Sequence, residues 1–175
     1  MWLREHVTDP YVKKAQLLNY RSRSSFKLIE INQRYNILTP GMRVLDLGSA
    51  PGGWTQVAVA EVKGKNLKNK NDPKAGKILA IDRDPMNEVE GADFLRGDVE
   101  EETTRLKIAQ YFEMKPIDVI LSDMAPNFMG DKDMDHMAIS ALNSLAFKIS
   151  LNNLKIGGSV VMKTLQGTLE NKFYV

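Results

Sequence analysis

The turn Gly48-Ser-Ala-Pro-Gly-Gly53 constrains the fold more than any other segment of the sequence. It follows the β-rich run 42–47 and precedes a helical stretch that begins near Trp54. In that context the backbone can approach a ligand closely, because no side chain stands in the way. The glycine spacing differs from the G-x-G-x-x-G dinucleotide fingerprint, and the turn lacks the Lys-Ser/Thr pair of a phosphate-binding loop. It predicts a ligand site at a strand end, whereas the simpler alternative is a plain strand-to-helix connection.

Strand-like and helical stretches alternate along most of the chain. Strands are predicted at 42–47, 77–81, 92–96, 117–121 and 159–162, and helices at 54–62, 100–113 and 136–153. Two further helices, at about 9–19 and 22–35, precede the Thr39-Pro-Gly41 turn. The order β-α-β-β-α-β-α-β predicts a Rossmann-like α/β domain, with a mostly parallel sheet and helices on both faces.

Length and charge indicate how many domains the chain forms and how its charge is distributed between their parts. With 175 residues, 43% of them apolar, the chain can bury one sizeable core, so a single domain over 1–175 is expected. Residues 1–43 carry eight basic and three acidic side chains, or a net charge of about +5, so a basic helical part (1–40) precedes an α/β core (41–175). The polar segment 63–77 is interpreted as a surface loop, with a dedicated RNA-binding loop as the alternative.

Some function classes are excluded by composition. The absence of cysteine rules out disulfides and thiolate metal sites. No apolar run approaches the roughly 18 residues of a membrane span, so no membrane partner is expected.

Three aspartates extend the predicted ligand site, because ligands of open α/β sheets bind at the carboxyl ends of strands. Asp46 lies near the end of the first strand, where it can orient the turn or receive an ammonium group. Asp82 ends the second strand and can accept hydrogen bonds from ribose hydroxyls, and Asp98 follows the third and can accept from an adenine amino group. Each of the last two, taken alone, is equally a turn former or a helix cap.

Four ordered segments closely resemble the FtsJ/RrmJ (RlmE) family of RNA ribose 2′-O-methyltransferases. They are Tyr20-Arg-Ser-Arg-Ser-Ser-Phe-Lys-Leu28, Asp46-Leu-Gly-Ser-Ala-Pro-Gly-Gly-Trp54, Ser122-Asp-Met-Ala-Pro-Asn127 and Gly157-Gly-Ser-Val-Val-Met-Lys163. The Ser-Asp-Met-Ala-Pro-Asn form looks like the bacterial and mitochondrial members that modify large-subunit ribosomal RNA. A cytoplasmic and a mitochondrial location both fit.

The resemblance implies a methyl donor and a set of residues that hold it. The donor is S-adenosyl-L-methionine. The implied donor-binding residues are Asp46, Gly48, Ala50, Pro51, Gly52, Gly53, Trp54, Asp82, Asp98 and Asp123.

The resemblance also implies three members of the family's Lys-Asp-Lys-Glu catalytic tetrad, Lys27, Asp123 and Lys163. The family's Glu lies beyond Val175, as do two final strands and a helix, so a domain truncated at its C-terminus is expected. Lys163 is the expected general base, which requires desolvation or a nearby cation. Asp123 is expected to orient it, and Lys27 to position the ribose hydroxyl or a phosphate.

The resemblance implies methylation of a uridine ribose in large-subunit ribosomal RNA by a monomer, in the course of ribosome biogenesis. The expected partner is ribosomal RNA or the large ribosomal subunit, bound through phosphates by Lys13, Lys14, Arg21 and Arg23. Alternatives are a tRNA 2′-O-methyltransferase, a small-molecule methyltransferase, and an RNA-binding ribosome-assembly factor without catalysis. No metal is expected, because the acids of Asp131-Lys-Asp-Met-Asp-His136 are explained by helix initiation.

Overall fold

The structure is a computed structural model that describes residues 10–64, 75–126 and 128–164. Its helices are α1 (Pro10–Leu17), α2 (Ser25–Tyr35), α3 (Gly53–Lys63), α4 (Glu102–Tyr111) and α5 (Lys132–Asn153). Its strands are β1 (Arg43–Leu47), β2 (Lys77–Asp82), β3 (Asp93–Arg96), β4 (Ile117–Ser122) and β5 (Leu154–Met162). The predicted alternation of strands and helices is confirmed.

The described strands form a parallel sheet in the order β3-β2-β1-β4-β5. Leu47, the last residue of β1, is in register with Ile81 on one side and with Ser122 on the other. The carboxyl ends of β1, β2 and β4 therefore lie side by side. The chain runs outward from β1 through β2 to β3 and then returns to the opposite side as β4, which creates the switch point where open α/β sheets bind ligands.

Helices cover both faces of the sheet, as predicted. Alternate residues of β1 point to opposite sides, since side chains of a strand have a period of two. Val44 packs in a buried cluster with Leu28 of α2 and Val57 of α3, on one face. Leu45 packs with Ile108 of α4 on the other face. The sheet is thus buried between two apolar layers, which is the environment a parallel sheet requires.

Two elements begin earlier than the sequence indicates. Helix α5 begins at Lys132 rather than at residue 136, because the side chain of Asp131 caps it by accepting from the backbone N–H groups of Asp133 and Met134, both at 3.0 Å. This confirms the helix-initiation interpretation of the acidic cluster. Strand β5 begins at Leu154 rather than at residue 159, because the glycine-containing segment 154–158 continues along the sheet edge with an irregularity in its pairing to β4.

The predicted surface loop at 63–77 lies mostly in 65–74, outside the described residues. Among the residues that are described, no helix combines the length and apolar character needed to cross a membrane.

Candidate active site

A cavity of about 480 Å³ opens at the carboxyl ends of the strands. Its wall combines the turn after β1 with the segments that follow β2, β3, β4 and β5. The predicted site residues that line it are Gly48, Ala50, Pro51, Asp82, Asp98, Asp123 and Lys163. The location is the one expected for a ligand of an open parallel sheet, and the volume lies within the range of about 300–1,000 Å³ typical of cofactor sites.

The first residue of the turn must be glycine for two reasons. Gly48 has a φ of +68°, and a Cβ at this position would lie 2.8 Å from the Cα atom of Met124. The N–H groups of Gly48 and Ser49 both donate to the carbonyl oxygen of Ile81, at 2.9 and 3.1 Å, which fixes the turn against β2. The close backbone approach predicted for this turn is therefore made to another part of the chain.

The other two glycines of the turn also meet protein. A Cβ at Gly53 would lie 2.7 Å from the hydroxyl oxygen of Ser25, and one at Gly52 would lie 2.9 Å from the Arg21 guanidinium. Trp54 is buried and donates its indole N–H to the carbonyl oxygen of Ser24 at 3.0 Å. None of Gly52, Gly53 and Trp54 lines the cavity, so the structure places them behind its wall.

Two carboxylates line the cavity after β2 and β3. Asp82 accepts from the backbone N–H groups of Ala50 and Asp84, both at 2.9 Å, so it joins the turn after β1 to its own loop. Asp98 accepts from the backbone N–H of Glu100 at 2.9 Å and forms an ion pair with Arg83 at 3.4 Å. Each aspartate thus shapes its turn, as the simpler interpretation expected, and also faces the cavity.

Asp46 occupies a different environment from the other two. It is fully buried and does not line the cavity. One carboxylate oxygen accepts from the hydroxyl of Thr55 at 2.6 Å, and the other has no hydrogen-bond partner among the described residues. Burial raises the pKa of Asp46 to about 7, the hydrogen bond from Thr55 lowers it, and the carboxylates of Asp123 and Asp82 add to the rise.

Asp123 and Lys163 meet at the edge of the cavity. The Lys163 ammonium donates to the Asp123 carboxylate at 2.7 Å and to the Asp123 carbonyl oxygen at 3.3 Å. Both side chains are partly buried, with 20% of Asp123 and 37% of Lys163 exposed. They are brought together because they follow the neighbouring strands β4 and β5. The pair presents an amine of fixed position to whatever occupies the cavity.

Lys27 is not brought to this pair. Its side chain is 71% exposed on α2, forms an ion pair with Glu30 at 3.6 Å, and does not line the cavity. Among the predicted RNA-binding residues, Lys13 and Arg23 are exposed. Lys14 is exposed as well and lies over the ring of Phe26, with 4.9 Å between the ammonium and the ring centroid.

Several residues that the sequence analysis did not single out also line the cavity, among them Ser22, Arg83 and Met124. Ser22 and Met124 lie inside the first and third of the four segments that resemble the family, so the sequence could have indicated both residues. Arg83 follows Asp82 directly, and its position beside the cavity depends on the turn after β2. No group of three or more His, Cys, Asp or Glu side chains within 10–64, 75–126 and 128–164 could hold a metal ion.

Comparison with known proteins gives one consistent family. The sequence model of the FtsJ-like methyltransferases matches residues 20–175. A curated relative from Stutzerimonas stutzeri, called ribosomal RNA large subunit methyltransferase E, is 42% identical over 172 residues, which cover 98% of this chain and 79% of the relative.

Solved structures agree with this family. A Plasmodium falciparum protein assigned as a ribosomal RNA methyltransferase is 30% identical, with a TM-score of 0.75 over 87% of this chain and 82% of that chain. The MycE methyltransferase of the mycinamycin biosynthetic pathway, solved with Mg and SAH, is 16% identical, with a TM-score of 0.53 over 77% of this chain and 30% of that chain. That second likeness shows the fold alone. The chain belongs to the FtsJ-like methyltransferase family.

Proposed function

We propose that this methyltransferase transfers a methyl group from S-adenosyl-L-methionine to the 2′-hydroxyl of a uridine in large-subunit ribosomal RNA. The observation that carries the proposal is the Lys163–Asp123 pair, with a 2.7 Å contact at the rim of the cavity. A methyltransferase that acts on a hydroxyl group must remove its proton, and an amine held by a carboxylate beside the reacting atoms is suited to that task.

The cavity fits the methyl donor in its chemistry. It presents two carboxylates, Asp82 and Asp98, each with lone pairs beyond those used in its own turn, so they can accept hydrogen bonds from ribose hydroxyls and an adenine amino group. Asp46 is buried and does not line the cavity, but one of its carboxylate oxygens accepts from Thr55 in the first turn of α3, which follows the glycine turn. S-adenosylmethionine supplies an electrophilic methyl group on a sulfonium. SAH, the product of such a transfer, is bound by MycE, which has the same fold.

The residues of this chain supply deprotonation and alignment. Lys163, in its neutral amine form, accepts the hydroxyl proton while the oxygen forms its bond to the methyl carbon. The bond between that carbon and the donor sulfur breaks, and SAH leaves as the thioether. Asp123 holds that nitrogen through its carboxylate and its carbonyl oxygen, so the amine does not have to be ordered during the reaction. Lys27 positions the target nucleotide through a phosphate, a role consistent with its exposed side chain near the start of α2, shortly after Ser22, which lines the cavity.

The names of the relatives support ribosomal RNA as the substrate, since the Stutzerimonas stutzeri protein is called ribosomal RNA large subunit methyltransferase E. The basic N-terminal part offers exposed cations to the phosphates, at Lys13, Lys14 and Arg23. The 2′-hydroxyl itself distinguishes RNA from DNA. The protein acts as a monomer on ribosomal RNA or on the large subunit.

The test is methyl transfer from labelled S-adenosylmethionine to unmethylated large-subunit ribosomal RNA and to unmethylated tRNA. Methylation of the ribose is read from the resistance of the product to alkaline cleavage, which needs a free 2′-hydroxyl. The Lys163→Ala variant is expected to lose at least about 100-fold in rate, the lower end of the effect of a general base. Its affinity for SAH is expected to stay within about threefold, because the cavity carboxylates remain.

The matched control is Lys148→Ala, which removes an exposed lysine of α5. It should leave the rate unchanged. The proposal is wrong if the methylated product remains sensitive to alkali, if tRNA is methylated in preference to ribosomal RNA, or if Lys163→Ala retains the wild-type rate. SAH binding without any transfer would instead favour an assembly factor that has lost catalysis.

A further inference from the structure

Arg21 lies in the segment between α1 and α2, and its guanidinium binds the carbonyl oxygen of Pro51, which lines the cavity, and two carbonyl oxygens of the loop after β2. One terminal nitrogen donates to the carbonyl oxygens of Pro51 and Asn87, at 3.2 and 2.6 Å. The other donates to the carbonyl oxygen of Glu88 at 2.6 Å. A single side chain therefore joins the turn after β1 to the loop after β2.

The segment that carries Arg21 is itself fastened to helix α3. The backbone N–H of Arg21 donates to the Gln56 side-chain oxygen at 2.8 Å, and the Gln56 amide donates to the carbonyl oxygen of Asn19 at 2.9 Å. Residues 19–24, which we call the strap, thus cross the first turn of α3, and Ser22 of the strap lines the cavity.

The sequence around the turn leaves room for this guanidinium. Gly52 has a φ of +110°, and a Cβ there would lie 2.9 Å from a terminal nitrogen of Arg21. Asp82 makes a second tie between the same two loops through the N–H of Ala50. The side chains of Arg21 and Asp82 thus both connect the loops on which Pro51 and Asp84 face the cavity.

We propose that Arg21 is a positioning residue of the methyl-donor site rather than a contact to RNA phosphate. It holds the turn after β1 at a fixed distance from the loop after β2, and so keeps the cavity in the shape that binds the donor. This inference rests on the proposed function, because it assigns the cavity to S-adenosylmethionine. It revises the sequence-based expectation for Arg21 and leaves that for Lys13, Lys14 and Arg23 in place.

The geometry argues against a phosphate contact. Three of the five guanidinium N–H groups are directed to carbonyl oxygens, so a phosphate would have to compete with hydrogen bonds that are already made. A flat fork of donors can span carbonyl groups on two loops, whereas the compact ammonium of a lysine can reach one of them. Replacement of Arg21 by lysine therefore separates the two roles, since lysine is an adequate partner for a phosphate but a poor one for this set of carbonyls.

The test measures two affinities of the purified protein and of Arg21→Lys and Arg21→Gln. The first is the Kd for SAH, by calorimetry. The second is the Kd for a transcript of large-subunit ribosomal RNA at several salt concentrations, which gives the slope of log K against log salt. The Kd for SAH is expected to rise about 10-fold or more in both variants, as expected for the loss of charge-assisted hydrogen bonds. The salt slope is expected to stay at its wild-type value, whereas the loss of one phosphate contact would reduce its magnitude by about 0.7–0.9.

Two further variants keep the test independent of folding defects. Gln56→Ala removes the other fastening of the strap and should raise the Kd for SAH in the same direction. Arg34→Gln removes an exposed cation of α2 and should leave the Kd for SAH unchanged. The inference is overturned if Arg21→Lys binds SAH as the wild type does, or if the salt slope falls in either Arg21 variant. If the wild-type protein itself does not bind SAH, the proposed function fails instead.

Discussion

The replacement of Asp46 by asparagine should stabilise the protein at high pH and progressively less as the pH falls. Asp46 is fully buried beneath the glycine turn, and burial raises its pKa from the ordinary value of 3.8 to about 7. The hydrogen bond from Thr55 lowers the pKa, but by less than burial raises it. Because the folded protein holds the proton more tightly than the unfolded chain does, the free energy of unfolding decreases as the pH rises from about 4 to about 7.

The size of the effect follows from the two pKa values. Because each pKa unit corresponds to about 1 kcal/mol or a little more, the wild-type protein should lose roughly 2–3 kcal/mol between pH 5 and pH 8 because of Asp46 alone. Asparagine does not titrate, so this loss disappears in Asp46→Asn. The amide nitrogen would replace the unpartnered carboxylate oxygen and leave a buried donor unsatisfied, at a cost of about 1–3 kcal/mol that does not change with pH.

The assay is urea unfolding of both proteins without ligand at pH 5, 6, 7 and 8. The quantity to follow is the difference in the free energy of unfolding between variant and wild type, since the other titrating groups largely cancel in it. That difference should shift in favour of the variant by roughly 2–3 kcal/mol from pH 5 to pH 8. Glu61→Gln, an exposed acid on α3, is the control whose difference should be constant. A constant difference for Asp46→Asn as well would refute the reasoning.

Three other changes test the framework around the site, all by urea unfolding. Asp118→Asn should change stability with pH in the direction opposite to Asp46→Asn. Burial acts to raise the pKa of Asp118, but hydrogen bonds and ion pairs to basic residues hold it below its ordinary value. The variant should therefore lose stability relative to wild type as the pH rises through the acidic range. Gly48→Ala should cost about 1–2 kcal/mol for the left-handed backbone, and more for the 2.8 Å approach to Met124, so a cost below about 0.5 kcal/mol would contradict the assigned turn geometry. Tyr111→Phe removes a hydroxyl that donates to Asp93 at 2.7 Å, and should cost about 1 kcal/mol with an unchanged dependence on urea; an equally stable variant would show that this contact contributes nothing.

The sheet could be predicted because its signals are local and regular, and the Asp123–Lys163 pair was expected from the resemblance to a known family. The strands β1, β2 and β4 are nearly continuous runs of buried residues, as is typical of a parallel sheet covered on both faces. Parallel strands bring their carboxyl ends together wherever they pair. Asp123 and Lys163 each follow a strand of that kind, so their proximity needed only the correct strand order. The acids of 131–135 indicated helix initiation, but the helix was predicted to begin at 136 rather than at Lys132, where the Asp131 cap starts it.

The strap could not be predicted, because what decides its position is spread over distant parts of the chain. Arg21 is an exposed-looking cation in a serine-rich segment, and only the folded structure brings three carbonyl oxygens to it. The environment of Asp46 also could not be predicted. An acid at a strand end beside a glycine turn suggests a ligand contact, whereas in the structure Asp46 is buried and accepts a hydrogen bond from Thr55. A charged residue in a sequence is usually interpreted as a surface residue or as a ligand contact. The sequence alone does not show when such a residue is instead bound by another part of the same chain.

Backbone hydrogen bonds of the sheet extend directly to Asp123 and Lys163, the pair proposed to take part in the reaction. The N–H of Asp123 donates to the carbonyl oxygen of Leu47 at 3.1 Å, and the N–H of Lys163 donates to that of Ser122 at 2.9 Å. Each residue is thus held by the strand next to its own, one step beyond the last paired residue. A slip of one residue between β4 and β5 would turn the Lys163 side chain to the opposite face, and would do so to the rest of β5 as well. The precision with which Lys163 meets Asp123 therefore derives from the register of the sheet, and a site built on strand ends is held more closely than one built on loops alone.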